Sequence, residues 1–482
     1  MNMRLYLFLL GRIALLNAVV LGLPLCCALY WGEDTVQAFA IPMAVTLVLG
    51  LLLQNAGKQH KKQLCVAEGA WYLVSVWFLL GLIGMMPYVL TGILTPADAF
   101  FESISAYTTT GVSCLAPGQA EASSLLFWHS LMEWMGGLNF IIMLVTVVPQ
   151  VSGCFGVTLS AHQSIAFSPM VSRMHNAALQ TGKIYVGITL ISAALYIAAG
   201  LNVFEAVNQA MTTASTSGGT ASLDFAGYDN LFLEVAAMIS MILASCNFLL
   251  IWRAVSRREL RSIFSDTELR TFLAILGAVS VMIVFHLWHS GVYDIWQSLR
   301  YGTFAVVSFL STTGFASAQL SLWPGFDRYV LFLLVFAGGC IGSATGGLRI
   351  MRIIVLFRMA AREMRRTLHP QMVVSLKIDG VPVSMKIISR VLSFFFLYIG
   401  VFFFSMLVIS LSGIPLLQAM GVAAGCLSSV GSTAELYGLT SYAALPVWTK
   451  LYCTFVMILG RIEIFSFLIV LQTIAARFHS KW

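Results

Sequence analysis

Apolar stretches long enough to cross a membrane alternate along this chain with amphipathic stretches too short to do so. A helix needs about 20 apolar residues to traverse the hydrocarbon core. Stretches of that kind fall at about 4–30, 38–54, 69–91, 124–149, 184–201, 231–252, 271–289, 328–358, 387–411 and 447–475, the one at 328–358 being interrupted. Behind the first two, short helices are predicted between paired spans: from Thr95-Pro96-Ala97-Asp98 to Tyr107, Val203 to Ala214, Tyr293 to Phe309 and Pro415 to Cys426. Thr95 suits a helix cap and Pro96 the first helical position, where a missing N–H costs nothing. Three of these helices open alike, as Ala99-Phe100-Phe101-Glu102, Val203-Phe204-Glu205-Ala206 and Ile295-Trp296-Gln297-Ser298.

Each short helix runs into a hydroxyl–glycine segment. These read Thr108-Thr109-Thr110-Gly111-Val112-Ser113, Thr216-Ser217-Gly218-Gly219, Ser311-Thr312-Thr313-Gly314-Phe315 and Ser428-Ser429-Val430-Gly431-Ser432, with their glycines roughly 100 residues apart. One such pair is an ordinary turn signal; four, each after a short helix and before a full span, are a repeat. The predicted fold is therefore an all-α polytopic membrane protein, with two N-terminal helices plus four helix–pore loop–helix repeats in a pseudo-fourfold arrangement around one pore. The units are 1–68 (two helices and a basic loop), 69–182, 183–268, 269–386 and 387–482. Irregular backbone at membrane depth is tolerated where it lines a cavity or is buried in protein. Glycine allows the unusual dihedrals of a crowded loop. A ring of backbone carbonyls can replace an ion's hydration shell, so ion permeation is the leading expectation. Helix C-termini aimed inward would favour a cation at the centre; their aromatics would pack the bundle in either case.

Composition supports a membrane solvent. The 482 residues are 59% hydrophobic and 10% charged, against about 25% charged in soluble domains, and the mean hydropathy is +0.89. The run after Arg4 lacks a small-residue cleavage site and reads as a retained first span. Nine cysteines are scattered without a Cys-x-x-Cys pair, the pattern of buried free thiols rather than of disulfides or zinc. The net charge of +7 is explained by basic loops on the cytoplasmic side, and no nucleic-acid module is visible. Lys58, His60, Lys61 and Lys62 mark the first such loop. Arg253, Arg257, Arg258 and Arg261 mark the second, and Arg358, Arg362, Arg365, Arg366, Lys377, Lys386 and Arg390 the third, with Arg477 and Lys481 at the end. Arg328 and Lys450 are exceptions on the outer side. That side mostly carries acids: Glu33, Asp34, Asp98, Glu102, Glu121, Asp224, Asp229, Asp294, Asp327 and Glu435. These either concentrate cations or merely avoid the basic side.

Two further features carry chemistry. The run Gly338-Gly339-Cys340-Ile341-Gly342-Ser343-Ala344-Thr345-Gly346-Gly347 should break a membrane helix. It reads as a flexible irregular segment that narrows or blocks the pore below the loops, against a GxxxG packing face or a nucleotide loop, which lacks the Gly-Lys-Ser/Thr ending. Arg461, in Gly460-Arg461-Ile462-Glu463, is a costly mid-membrane charge. It either faces the pore near the glycine segment, where it would repel or gate cations, or pairs with Glu463 or snorkels toward the cytoplasm.

With these segments, Trp134-Met135-Gly136-Gly137 and the two extra N-terminal spans, the chain resembles the TrkH/KtrB family of potassium transporters, in its TrkH branch, over essentially its whole length. The resemblance implies potassium uptake across the bacterial inner membrane, with the potassium ion as cargo and no other cofactor. It implies a homodimer in membrane lipid with one pathway per subunit, and a cytosolic, nucleotide-binding TrkA-like regulatory subunit. By resemblance the filter residues are Thr109, Thr110 and Gly111; Thr216, Ser217 and Gly218; Thr312, Thr313 and Gly314; and Ser429, Val430 and Gly431. The gate is Gly338, Gly339, Gly342, Gly346, Gly347 and Arg461. Glycine in all four filters favours potassium, since serine at the first goes with sodium selectivity in related plant transporters. Two residues depart from the family pattern: Ser432 follows Gly431 where a proline is frequent, and Glu133 precedes Trp134 where a neutral residue is expected, a membrane carboxylate with no partner named by the sequence. No paired carboxylates or nucleophile–base set points to an enzyme. A proton- or sodium-coupled symporter is the alternative; it would need an ionisable relay at the midplane, for which Glu133 and Glu463 are the acidic candidates.

Overall fold

The computed structural model describes residues 3–57, 66–115, 122–146, 170–218, 225–257, 265–369, 376–439, 441–462 and 464–479. The basic residues Lys58, His60, Lys61, Lys62, Arg258, Arg261 and Lys481, the acids Glu121, Asp224 and Glu463, and Gly219 lie outside the described residues.

Two helices, Met3–Trp31 and Val36–Ala56, pack along each other at the start of the chain. Four units follow. The first is Val66–Leu90, the short helix Pro96–Tyr107 and Ser123–Thr146. The second is Met170–Ala198, Val203–Ala214 and the pair Leu231–Ser245 and Phe248–Arg257. The third is Thr267–His289, Ile295–Leu310 and the pair Gly325–Ala337 and Ile350–Leu368. The fourth is Met385–Ser410, Leu416–Ser428 and the pair Val447–Ile462 and Ile464–His479. Among the described residues, six helices are unbroken, long and apolar enough to cross a membrane, and two bent pairs raise this to eight. The chain is a helical integral membrane protein with four repeated helix–loop–helix units.

Two spans expected to be continuous are broken, and the third break falls where an interruption was expected. The stretch read as one span at 231–252 turns by 93° at Cys246-Asn247. Asn247 caps the second half, accepting from the N–H groups of Leu249 (3.0 Å) and Leu250 (3.3 Å), which ends one helix and starts another. The last span turns by 107° after Ile462. The interrupted span stops at Ala337 and resumes at Ile350, so the glycine run is not a helical packing face. A two-stranded hairpin, Lys377–Ile378 with Val381–Pro382, is the one departure from all-α structure among the described residues.

The short helices start where their caps dictate. Thr95, Asn202 and Asp294 accept from the N–H groups of Asp98 (3.3 Å), Glu205 (2.9 Å) and Gln297 (2.7 Å). The fourth begins after Pro415 without a side-chain cap. The long helices press close to them through small residues. A Cβ at Gly136 would fall on the Tyr107 carbonyl, and one at Gly460 on the Leu427 carbonyl, both at the C-terminal ends of short helices. This is why the Trp134–Gly137 and Gly460–Arg461 motifs carry glycine.

Most of the outer acids serve the fold. Glu33 accepts from Ser124; Lys450 bonds Asp98 (2.6 Å) and the Ala443 carbonyl (2.7 Å). Arg300 bonds Glu234 (2.7 and 2.9 Å) and Asp229 (2.8 Å), and His286 contacts Asp327 at 2.9 Å. Arg328 donates to the Leu436 carbonyl at 3.3 Å. The two basic exceptions thus have local partners, and Asp34 and Glu435 remain exposed.

Candidate functional site: four hydroxyl–glycine loops and the glycine-rich segment

Each short helix ends in the same way. A hydroxyl residue just past the helix takes the left-handed backbone conformation: Thr109 (φ 51°), Thr216 (φ 55°) and Thr312 (φ 57°), each following the capping hydroxyl residue Thr108, Ser215 or Ser311, and Ser429 (φ 59°), which is itself the cap. The next N–H folds back onto the helix: Thr110 to Ser105 O (2.9 Å), Ser217 to Thr212 O (3.0 Å), Thr313 to Ser308 O (3.0 Å) and Val430 to Gly425 O (2.9 Å). This is a helix-ending motif that ordinarily uses glycine at the left-handed position. A residue other than glycine there is strained, on the order of 1–3 kcal/mol, and persists only where its surroundings enforce it. The sequence reading placed the unusual dihedrals at the glycines. They fall first on the residue two before each glycine, and also on Gly111 (φ 74°) and Gly314 (φ 82°).

The loops converge. The Gly431 N–H donates to Thr110 O at 2.7 Å, and a Cβ at Gly431 would fall on the backbone of Gly111. A Cβ at Gly314 would meet Ser432 Oγ at 2.8 Å, and one at Gly218 would fall on the Thr313 carbonyl. Thus the first loop touches the fourth, the fourth the third, and the third the second. All twelve residues expected at the site lie in this assembly. Its hydroxyls are arranged in part by symmetry: Thr108 with Thr110 (2.8 Å) and Ser311 with Thr313 (2.9 Å), Ser105 to Val112 O (2.6 Å) and Ser308 to Phe315 O (2.7 Å). A buried ring rich in carbonyl and hydroxyl oxygens, reached by four helix C-termini, has the chemistry to hold a partly dehydrated alkali cation.

The glycine-rich segment meets this ring. The Gly346 N–H donates to Thr312 Oγ1 at 3.1 Å, and a Cβ at Gly346 would fall on the Ser428 carbonyl. The hydroxyls of Thr109 and Thr216, the counterparts of Thr312, are buried with no hydrogen-bond partner among the described residues. The backbone of this segment is extensively bonded. Cys340 N–H donates to Ser245 O (3.0 Å), Phe248 N–H to Gly342 O (3.3 Å), and Leu348 N–H to Phe336 O (2.9 Å). One Glu268 oxygen accepts from both Ile341 N–H (2.7 Å) and Met351 N–H (3.2 Å), tying the two arms together. Glycine density here serves close approach and the positive φ of Gly338, Gly342 and Gly347, not looseness.

Arg461 is 2% exposed, so it does not snorkel. Its guanidinium lies 3.8 Å from the Phe140 ring centroid, and its three nitrogens have no hydrogen-bond partner among the described residues. The Arg349 guanidinium, at the end of the glycine segment, lies 5.2 Å from the same ring. Pairing with Glu463 falls outside the described residues.

Sequence reasoning missed Glu268, Phe140, His129 and the role of Glu102. For His129 the available signal was an ionisable residue inside an apolar helix; Glu268 reads as an ordinary acid at a helix start and Glu102 as one of the outer acids. For Phe140 there was none, because one phenylalanine among 33 is unremarked. Glu133 has a partner after all: the Ser217 hydroxyl donates to it at 2.6 Å.

Comparisons with known proteins agree with one another. The family model for TrkH, described as a cation transport protein, matches residues 35–478. The chain is 29% identical over 476 residues to the Trk system potassium uptake protein TrkH of Halomonas elongata, covering 98% of each chain. It is 29% identical over 469 residues to the TrkH of Escherichia coli K12, covering 95% of this chain and 96% of that one. The fold is similar to the crystal structure of the potassium transporter TrkH from Vibrio parahaemolyticus, with a TM-score of 0.88, 26% identity, and coverage of 98% of this chain and 99% of that one.

Proposed function

The chain belongs to the TrkH family of cation transport proteins, and we propose that it carries potassium ions into a bacterial cell across the inner membrane through the ring of four hydroxyl–glycine loops. The observation that carries this reading is the fourfold repetition of one strained backbone, at Thr109, Thr216, Thr312 and Ser429, in loops that touch one another. Strain repeated at one point is a mark of function rather than of packing. Glycine at 111, 218, 314 and 431 favours potassium over sodium. The names of the relatives, potassium uptake proteins, agree with that cargo.

In this reading the glycine-rich segment and Arg461 form the gate. The Gly346 N–H takes the Thr312 hydroxyl, an oxygen that an ion at the inner end of the ring would otherwise use. A buried guanidinium then sets a positive charge where cations must pass. Assembly as a homodimer and control by a cytosolic nucleotide-binding subunit rest on the family resemblance and belong to the same proposal.

A proton- or sodium-coupled symporter is the second reading. What favours it is a buried ionisable row, Glu102, His129 and Glu133, beside the loops. Expression in a bacterium stripped of its own potassium uptake tests the first reading. Growth at limiting potassium should be restored and should survive excess sodium. Failure to restore growth, by a chain present in the membrane together with its regulatory partner, would sink the proposal.

A further inference from the structure

The middle residues of the four loops are not held alike. The Thr110 and Thr313 hydroxyls bond within their own loops, to Thr108 and Ser311, and Val430 has no hydroxyl. Ser217 alone reaches out of its repeat, donating at 2.6 Å to a carboxylate oxygen of Glu133, on the long helix of the first unit. That carboxylate is 0% exposed. The same oxygen lies 3.4 Å from His129 Nε2, and His129 Nδ1 lies 3.6 Å from Glu102 Oε1. Glu102 in turn accepts from Ser113 Oγ (2.7 Å) and the Cys114 N–H (2.8 Å), just past the first loop. A continuous buried row of side chains therefore runs from behind the first loop to the second.

We propose that Glu133, backed by His129 and Glu102, is a specificity-determining positioning residue: it fixes the second loop from outside its own repeat and so sets how tightly that quarter of the ring holds a bound alkali cation. The inference rests on the ring being the permeation path. Glu133 is well placed for the task because its helix is clamped on both sides. Tyr185 donates to the Trp134 carbonyl at 2.9 Å, Trp134 Nε1 donates to Thr189 at 3.0 Å, and Gly136 packs on the Tyr107 carbonyl. The Ser217 backbone is already tied to Thr212 O, so its hydroxyl is the remaining freedom, and Glu133 removes it. The helix that carries Glu133 is held independently by the Tyr185 and Trp134 bonds, so loss of the Ser217 bond should register on ion binding rather than on the fold.

The test uses the full chain in liposomes and measures rubidium uptake for KM and Vmax, with potassium and sodium as competitors. Glu133→Leu and Ser217→Ala each remove the bond, and both should raise the rubidium KM about tenfold with Vmax changed less than about twofold. Sodium should compete correspondingly better. Glu133→Gln keeps an acceptor oxygen and should recover most of the loss, and the double variant Glu133→Leu/Ser217→Ala should be no worse than either single one. An unchanged KM in the Leu variant, additive losses, or a Gln variant as impaired as Leu would overturn the inference. If the Leu variant does not fold, Ser217→Ala, which deletes one oxygen, carries the same test. Wild-type uptake that potassium does not block would overturn the permeation reading and this inference with it, an outcome read in a separate arm.

Discussion

At the scale of the residue, the four loops show which part of the site could be read in advance. Hydroxyl–glycine spelling at four places marked four loops that the folded chain brings together. It did not reveal that Thr109, Thr216, Thr312 and Ser429 bear the left-handed backbone, because a helix ending ordinarily puts glycine there and only contacts between loops enforce the exception. Gly314 shows what these contacts forbid. It has φ 82°, and an added Cβ would meet Ser432 Oγ at 2.8 Å. Gly314→Ser should therefore widen that quarter of the ring and lower the preference for potassium over sodium by about tenfold, read as sodium inhibition of rubidium uptake. An unchanged ratio would remove Gly314 from the ring. Thr312→Val keeps the shape but deletes the oxygen that Gly346 binds. It should speed uptake by loosening the closed segment while raising the rubidium KM, whereas Thr312→Ser should keep wild-type values.

At the scale of the element, breaks were harder to read than helices. The stretch 231–252 is evenly apolar, yet it turns at Asn247 because that side chain caps a new helix and the Phe248 N–H bonds to Gly342 O of the distant glycine segment. Such a tertiary bond leaves no local trace. The glycine run was recognised as a helix break, but its order was not, since order comes from Glu268, Ser245 and Phe336 on other elements. Glu268 lies in the first turn of Thr267–His289 and reads there as an ordinary acid near a helix start. Replacing it with alanine removes two buried hydrogen bonds, about 0.5–1.5 kcal/mol each. Glu268→Ala should raise flux severalfold, with the segment's amides exchanging faster with solvent. Unaltered exchange would mean that the segment is held elsewhere. Arg461→Ala should also raise flux, by clearing the charge over Phe140; flux equal to wild type would move the gate away from this arginine.

At the scale of the whole molecule, the repeated units were legible because a membrane imposes lengths: about 20 apolar residues to cross, fewer for a half-crossing helix. The convergence of the loops was not, because it depends on contacts between loops roughly 100 to more than 300 residues apart in sequence. The outer acids show the same limit. Their excess was plain, but only the folded chain reveals that Glu33, Asp98, Asp229 and Asp327 bind neighbouring side chains. The central claim concerns the whole assembly: a potassium-selective path that runs through one ring and needs no proton gradient. Its most direct test is rubidium uptake into liposomes holding the purified chain with its gate released, as in Arg461→Ala, with no proton gradient and with potassium, sodium or lithium as competitors. The account predicts uptake that potassium blocks and that sodium and lithium spare. Uptake that appears only when a proton gradient is imposed, or that sodium blocks as well as potassium does, would contradict it.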